Sequence, residues 1–319
     1  MIVWICFISA ILLFLALDLG IFNKTPHEIS SKEAGKWTGI WVSLSFLFSA
    51  VIYWLYQNNY VENPDQLKPM VASMKYITGY LIELSLSIDN IFIIAIIFSS
   101  FRIPKKYQHR VLFWGIIGAI IFRGLMIYFG VLIINKFAWT TYLFGVFLIY
   151  TAIKMLFTKE DHEYNPHNSV IYKYLRKLTP ITTKIESEHF FVKIKNINTA
   201  TPLFVALILI EVMDVIFALD SVPAILAITS DPFLVFSSNI FAILGLRSMY
   251  FFLANMLEKF SYLEYSLIAI LTFVGLKMLL HNFINLPEWV SLTFIAVSLL
   301  IGIIVSLQKK KKQAIKKTS

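Results

Sequence analysis

The run from Leu81 to Phe98, LIELSLSIDNIFIIAIIF, is apolar and long enough to cross a bilayer, yet it holds Glu83, Asp89 and Asn90. About 20 apolar residues span a hydrocarbon core. A carboxylate at the centre of such a helix costs about 2.5–3.5 kcal/mol on insertion scales, so two of them call for internal partners or a purpose. The phrase returns as DVIFALDSVPAILAI from Asp214. Overlaid, Glu83 meets Asp214, Asp89 meets Asp220, and Asn90 meets Ser221.

The echo continues downstream. GAIIFRGLMIYF, with Arg123, matches FAILGLRSMYFF, with Arg247, and IYTAIKMLF, with Lys154, matches LTFVGLKMLL, with Lys277. The arginine-to-lysine interval is 31 residues in the first copy and 30 in the second. An acidic helix, an arginine helix and a lysine-ended helix thus occur twice in the same order, as in an internal duplication.

The rest of the chain fits a bilayer. Hydrophobic residues make up 58% of it and the mean hydropathy is +0.73, which excludes an ordinary soluble domain. The fold class is an all-α polytopic membrane protein. About nine spans of bilayer length lie near 2–22, 37–57, 74–99, 111–134, 137–157, 202–228, 233–256, 262–281 and 287–307. The first run has no basic flank or cleavage site, so it reads as a retained helix. No transit sequence precedes it, which favours a bacterial source.

Cys6 is the sole cysteine, which excludes a disulfide framework and any multi-cysteine metal site. No GxxxxGK[ST] run marks an ATP-driven pump. The net charge of +9 would suggest nucleic acid in a soluble protein. Here it follows the rule that cytoplasmic loops collect positive charge, so the partners expected are the lipid bilayer and a cargo, with no nucleic acid.

That rule also gives an orientation. Twenty-one Lys and Arg residues fall at one set of span ends, including loop 158–200 and the tail KKKKQAIKK, against Lys68, Lys75 and Lys136 at the other. The C-terminus is then cytoplasmic, the N-terminus outside, and the location a bacterial inner membrane. The span with Glu83 then runs inward and the one with Asp214 outward, so the two three-helix repeats are inverted. The chain divides into a two-helix extension (1–69), repeat 1 (70–157), a cytoplasmic linker (158–200), repeat 2 (201–281), and a last span with a basic tail (282–319). A short surface helix is expected in the linker around Val170 to Leu178.

Within the spans, Asp18, Glu83, Asp89, Glu211, Asp214 and Asp220 face Arg123, Arg247, Lys154 and Lys277. If all are ionised the remainder is −2, the charge a divalent cation neutralises; buried carboxylates can instead take up protons. Arg123 and Arg247 sit near span centres and are expected to pair with the acids. The lysines lie near span ends, where pairing and snorkelling to the interface are both open. Glu83, Ser87 and Asn90 share one helix face, while Asp89 points about 120° away from Glu83. Glu211, Asp214 and Ser221 likewise share a face that leaves out Asp220. A break at Pro223, or a site between several helices, would bring both acids of a span to one ligand.

All six histidines lie in loops or at span ends, so a mid-membrane site would be built from oxygens. Such a donor set suits Mg, Ca and Mn rather than Zn, Cu or Ni. The bland alternative is that the acids only neutralise the arginines.

ELSLSIDN, DVIFALDSVPA, DPFLVFSSNIFAILGLRSMYF from Asp231, and ALDLGIF around Asp18 resemble the TerC family of integral membrane proteins across nearly the whole chain. That family is grouped with LysE-type exporters and associated with manganese efflux and with supplying metal to exported enzymes; its name refers to tellurite resistance. The resemblance implies a metal site formed by Asp89 and Asp220 with Glu83, Asp214 and Asn90, to which the overlay adds Ser221. It implies no enzyme activity and no permanently bound cofactor, only a transported divalent cation with Mn²⁺ as the leading cargo. The competing reading is a membrane scaffold for stress or secretion-associated protein partners. An intramembrane aspartyl protease is disfavoured because its GxGD motif is absent.

Overall fold

The computed structural model describes residues 2–17, 30–63, 66–137, 139–157, 166, 169–185, 188–194, 196–253, 263–280, 283 and 286–318. Asp18 and the side chain of Asp89 lie outside this description. The chain is helical almost throughout: α1 (Ile2–Leu17), α2 (Ser31–Gln57), α3 (Pro69–Ser100), α4 (Lys105–Lys136), α5 (Thr140–Phe157), α6 (Val170–Leu178), α7 (Pro202–Leu226), α8 (Pro232–Leu253), α9 (Leu263–Leu279) and α10 (Glu288–Thr318). It is an all-α polytopic membrane protein. Each expected span overlays one of these helices. Seven of them, α2, α3, α4, α5, α7, α8 and α10, are long and apolar enough to cross a membrane among the described residues. The helices α1 and α9 are shorter, with 16 and 17 residues.

Local chemistry sets the helix starts. Ser30 caps α2 by accepting from the Glu33 amide at 3.2 Å, the outward half of a Ser-x-x-Glu box. Pro69 and Pro202 open α3 and α7 at positions where a missing N–H costs nothing. Asp231 Oδ1 accepts from the Phe233 and Leu234 amides at 2.9 and 3.2 Å, capping α8. Its other oxygen takes the Tyr56 hydroxyl at 2.6 Å, which ties α2 to α8.

Helix α8 is buried along almost its whole length and packs against α2, α3 and α4. The other main pairings are α4 with α7 and α5 with α9. Helices α3 and α7 run in opposite directions. Ile97 and Phe98 near the end of α3 share a core with Leu203 and Val205 at the start of α7, while Gly79 faces Ile225 near the end of α7. Large apolar side chains stay exposed along α4 (Ile121, Leu125, Phe129), α5 (Val146, Tyr150) and α10 (Leu300, Ile304), a surface suited to lipid.

Two features depart from the sequence reading. Linker 158–200 holds α6 where a surface helix was expected, and adds a two-stranded antiparallel hairpin, β1 (Phe191–Ile194) with β2 (Ile197–Ala200). Helix α7 also runs unbroken through Pro223. That proline lacks only the N–H that would bond back to the Leu219 carbonyl, and the helix ends within one turn of it, so the loss is a single bond.

Candidate functional site

Four helices converge on Arg123, a residue of α4 that is 1% exposed. Its Nε donates to Asp214 Oδ2 at 3.0 Å and its Nη2 to Asp214 Oδ1 at 2.6 Å. This bidentate fork is the strongest form of the arginine–carboxylate pair. Nη1 pairs with Glu83 of α3 and also donates to Asn239 Oδ1 of α8 at 3.4 Å. The Asn239 amide returns to Glu83 Oε2 at 3.1 Å. Asn90, two turns along α3 from Glu83, reaches Asp214 Oδ1 at 3.5 Å.

Each carboxylate is thus held by the same guanidinium and by one amide. Two carboxylates against one guanidinium leave the cluster one negative charge in excess when all are ionised. Burying such groups costs several kcal/mol per ion, and the shared guanidinium with one amide for each carboxylate offsets part of this.

Beside the cluster lies a cavity of about 30 Å³, lined among others by Asn90, Gly115, Ala119, Asp214, Phe217 and Arg247. That is room for a water or a bare ion. Asn90 Oδ1 and Ser221 Oγ are buried without a hydrogen-bond partner. Glu211 Oε2 is in the same condition, and its carboxylate fits only because residue 118 is glycine: a Cβ there would land on it.

Asp220 is not among these contacts. It faces α5, where it accepts from Thr151 Oγ1 at 3.0 Å and feels the charge of the exposed Lys154. With α7 unbroken, the six-residue step from Asp214 to Asp220 turns the two side chains about 120° apart. Among the described residues, no three His, Cys, Asp or Glu side chains gather as a metal-holding group.

The second copy's basic residues behave differently from the first. Arg247 lines the cavity, and its Nη1 lies 3.1 Å from His109 Nε2. His109 sits in the second turn of α4, so an imidazole does come against a cavity-lining group. Lys277 contacts Glu288 Oε2 at 3.1 Å and Ser291 Oγ at 3.0 Å, which decides for pairing over snorkelling. Lys75 reaches the other Glu288 oxygen at 3.5 Å and the Ile228 carbonyl at 2.8 Å. Glu288 and Asn239 were not singled out in the sequence. The available signal for Asn239 was an amide midway along an otherwise apolar span.

A bundle of long apolar helices closed around a buried arginine–carboxylate cluster is an integral membrane protein with a polar centre. The chain matches the integral membrane protein TerC family over residues 70–314 and belongs to that family. It is 47% identical over 308 residues to an uncharacterized membrane protein of Myxococcus xanthus, covering 97% of this chain and 92% of that one. An uncharacterized membrane protein of Rickettsia felis is also 47% identical, over 96% of this chain and 98% of its own. The Escherichia coli K12 protein named "Putative membrane-bound redox modulator Alx" is 43% identical over 91% of this chain and 89% of its own. No solved structure matches the chain.

Proposed function

We propose that the chain is a secondary exporter of divalent cations, with Mn²⁺ the leading cargo, and that the cation crosses at mid-membrane through Glu83, Asp89, Asn90, Asp214, Asp220 and Ser221. The observation that carries this reading is the cavity beside Asp214, where the buried Asn90 keeps an oxygen without a partner. Carboxylate, amide and hydroxyl oxygens suit a hard cation such as Mn²⁺. Arg123 then acts as the internal counter-ion of Glu83 and Asp214 when no cargo is bound.

The units 70–157 and 201–281 are read as inverted repeats that rock against each other around the site. The opposed directions of α3 and α7 support this, as does the reciprocal packing of α3 on α8 and α4 on α7. The excess of basic residues supports a cytoplasmic loop 158–200 and C-terminus, with the protein in the inner membrane. The role is transport rather than catalysis. The redox modulation in the E. coli relative's name finds no dithiol couple here, because the chain has a single cysteine.

The test is the manganese content of a sensitive host grown with and without the protein. An exporter depletes cellular Mn²⁺. Unchanged content overturns the reading and leaves the scaffold alternative.

A further inference from the structure

We infer that α6 and the β1–β2 hairpin form a membrane-surface element that binds the anionic headgroups of the leaflet on the loop 158–200 side. At about 100° per residue, the apolar residues of α6 cover an arc of roughly 200°. Half of that arc, carrying Ile171, Tyr172 and Leu175, packs on the core formed by the ends of α3, α4 and α7. The other half is unpartnered: Val170 is 81% exposed, Tyr174 63% and Leu178 66%. One apolar surface therefore runs without interruption from the bundle out along the helix, as it would for a helix lying in the angle between protein and lipid.

The remaining sector of α6 is wholly basic: Lys173, Arg176 and Lys177. A helix with a basic polar face and an apolar opposite face is the form that lies in a headgroup layer. Each Lys or Arg held there is attracted to the negative surface potential of an anionic leaflet.

The hairpin belongs to the same segment and also exposes apolar and basic residues. Its tip pairs Ile194 with Ile197, both exposed, beside Lys193. It is fixed to the bundle by the Phe191 ring, 4.5 Å from that of Phe204 in the first turn of α7. It is joined to the chain leaving α6 by hydrogen bonds of 2.8 and 2.9 Å between Ala200 and Pro180 and Thr182. Glu188, the described acid of this segment, is already taken by Arg110 at 2.8 Å. Among the described residues of this segment the exposed charge left over is positive, which favours lipid phosphate over an acidic or neutral contact.

The experiment uses the full chain with Cys6→Ser, carrying Tyr174→Cys or Ile197→Cys labelled with an environment-sensitive fluorophore. It is placed in nanodiscs of phosphatidylcholine with or without phosphatidylglycerol. The expected result is a blue-shifted emission quenched by headgroup-region spin-labelled lipid and shielded from iodide, stronger in the anionic discs. Lys173→Gln, Arg176→Gln and Lys177→Gln together should reverse the anionic increment, with abundance and monodispersity unchanged. Iodide quenching with no lipid quenching in both discs would overturn the inference and leave the face open to a protein partner. Lipid quenching equal in both discs would overturn its headgroup part.

Discussion

Arg123 is the residue on which both buried carboxylates of the cluster depend. Arg123→Ala would leave Glu83 and Asp214 without their cation, and removing one partner of a buried pair costs about 3–5 kcal/mol. The expected outcome is a collapse in membrane abundance and thermal stability. Arg123→Lys should recover only part of it, because an ammonium restores the charge but not the fork to Asp214. Both are read from the melting profile of detergent-purified protein. Asp89→Asn and Asp220→Asn should behave in the opposite way, inserting at normal abundance while failing to protect a host from manganese. Glu83, Asp214 and Arg123 were legible in the sequence because a charge in an apolar run has no neutral explanation. Asn239 was harder to see, since an uncharged amide costs less in a span, and only its bonds to Arg123 and Glu83 give it a role. The direction of Asp220 was legible as an angle on α7, but its partner Thr151 depended on which helix packs there.

At the scale of the helices, α5 and α9 meet at two glycines. A Cβ on Gly275 would come 2.9 Å from the Gly145 carbonyl oxygen, and one on Gly145 would come 3.0 Å from that of Gly275. Backbones that touch in this way are held by the absence of side chains. Gly275→Ala should therefore cost about 1–3 kcal/mol, the scale of overpacking a close contact. Gly39→Ala is the control, because nothing lies within 4 Å of its new methyl group. It should be neutral or stabilise by up to about 1 kcal/mol through helix propensity. Thermal melts of the two variants, side by side, check both. The existence of these helices was legible from apolar runs of bilayer length. The α5–α9 contact was not, since a glycine in a span reads the same whether it faces lipid or another backbone. The hairpin was missed because four-residue strands in a mixed-charge loop carry no periodic signal of their own.

For the molecule as a whole, the inward basic bias predicts that residues near 170 and near 230 report on opposite faces of the membrane. Cysteine labelling from either side reads this directly, and labelling from the same side would remove the inverted arrangement. Helix α10 adds a tie across the assembly, since its Glu288 holds Lys75 of α3 and Lys277 of α9 together. In the proposed function, an oxygen-lined site at mid-membrane moves a hard divalent cation. The direct measurement is cation flux in proteoliposomes, comparing Mn²⁺ with Zn²⁺ for the wild type, Asp89→Asn and Asp220→Asn at matched incorporation. The expected result is Mn²⁺ flux well above Zn²⁺ flux in the wild type and loss of flux in both variants. Wild-type liposomes as tight to Mn²⁺ as empty ones, or full flux in both variants, would contradict it.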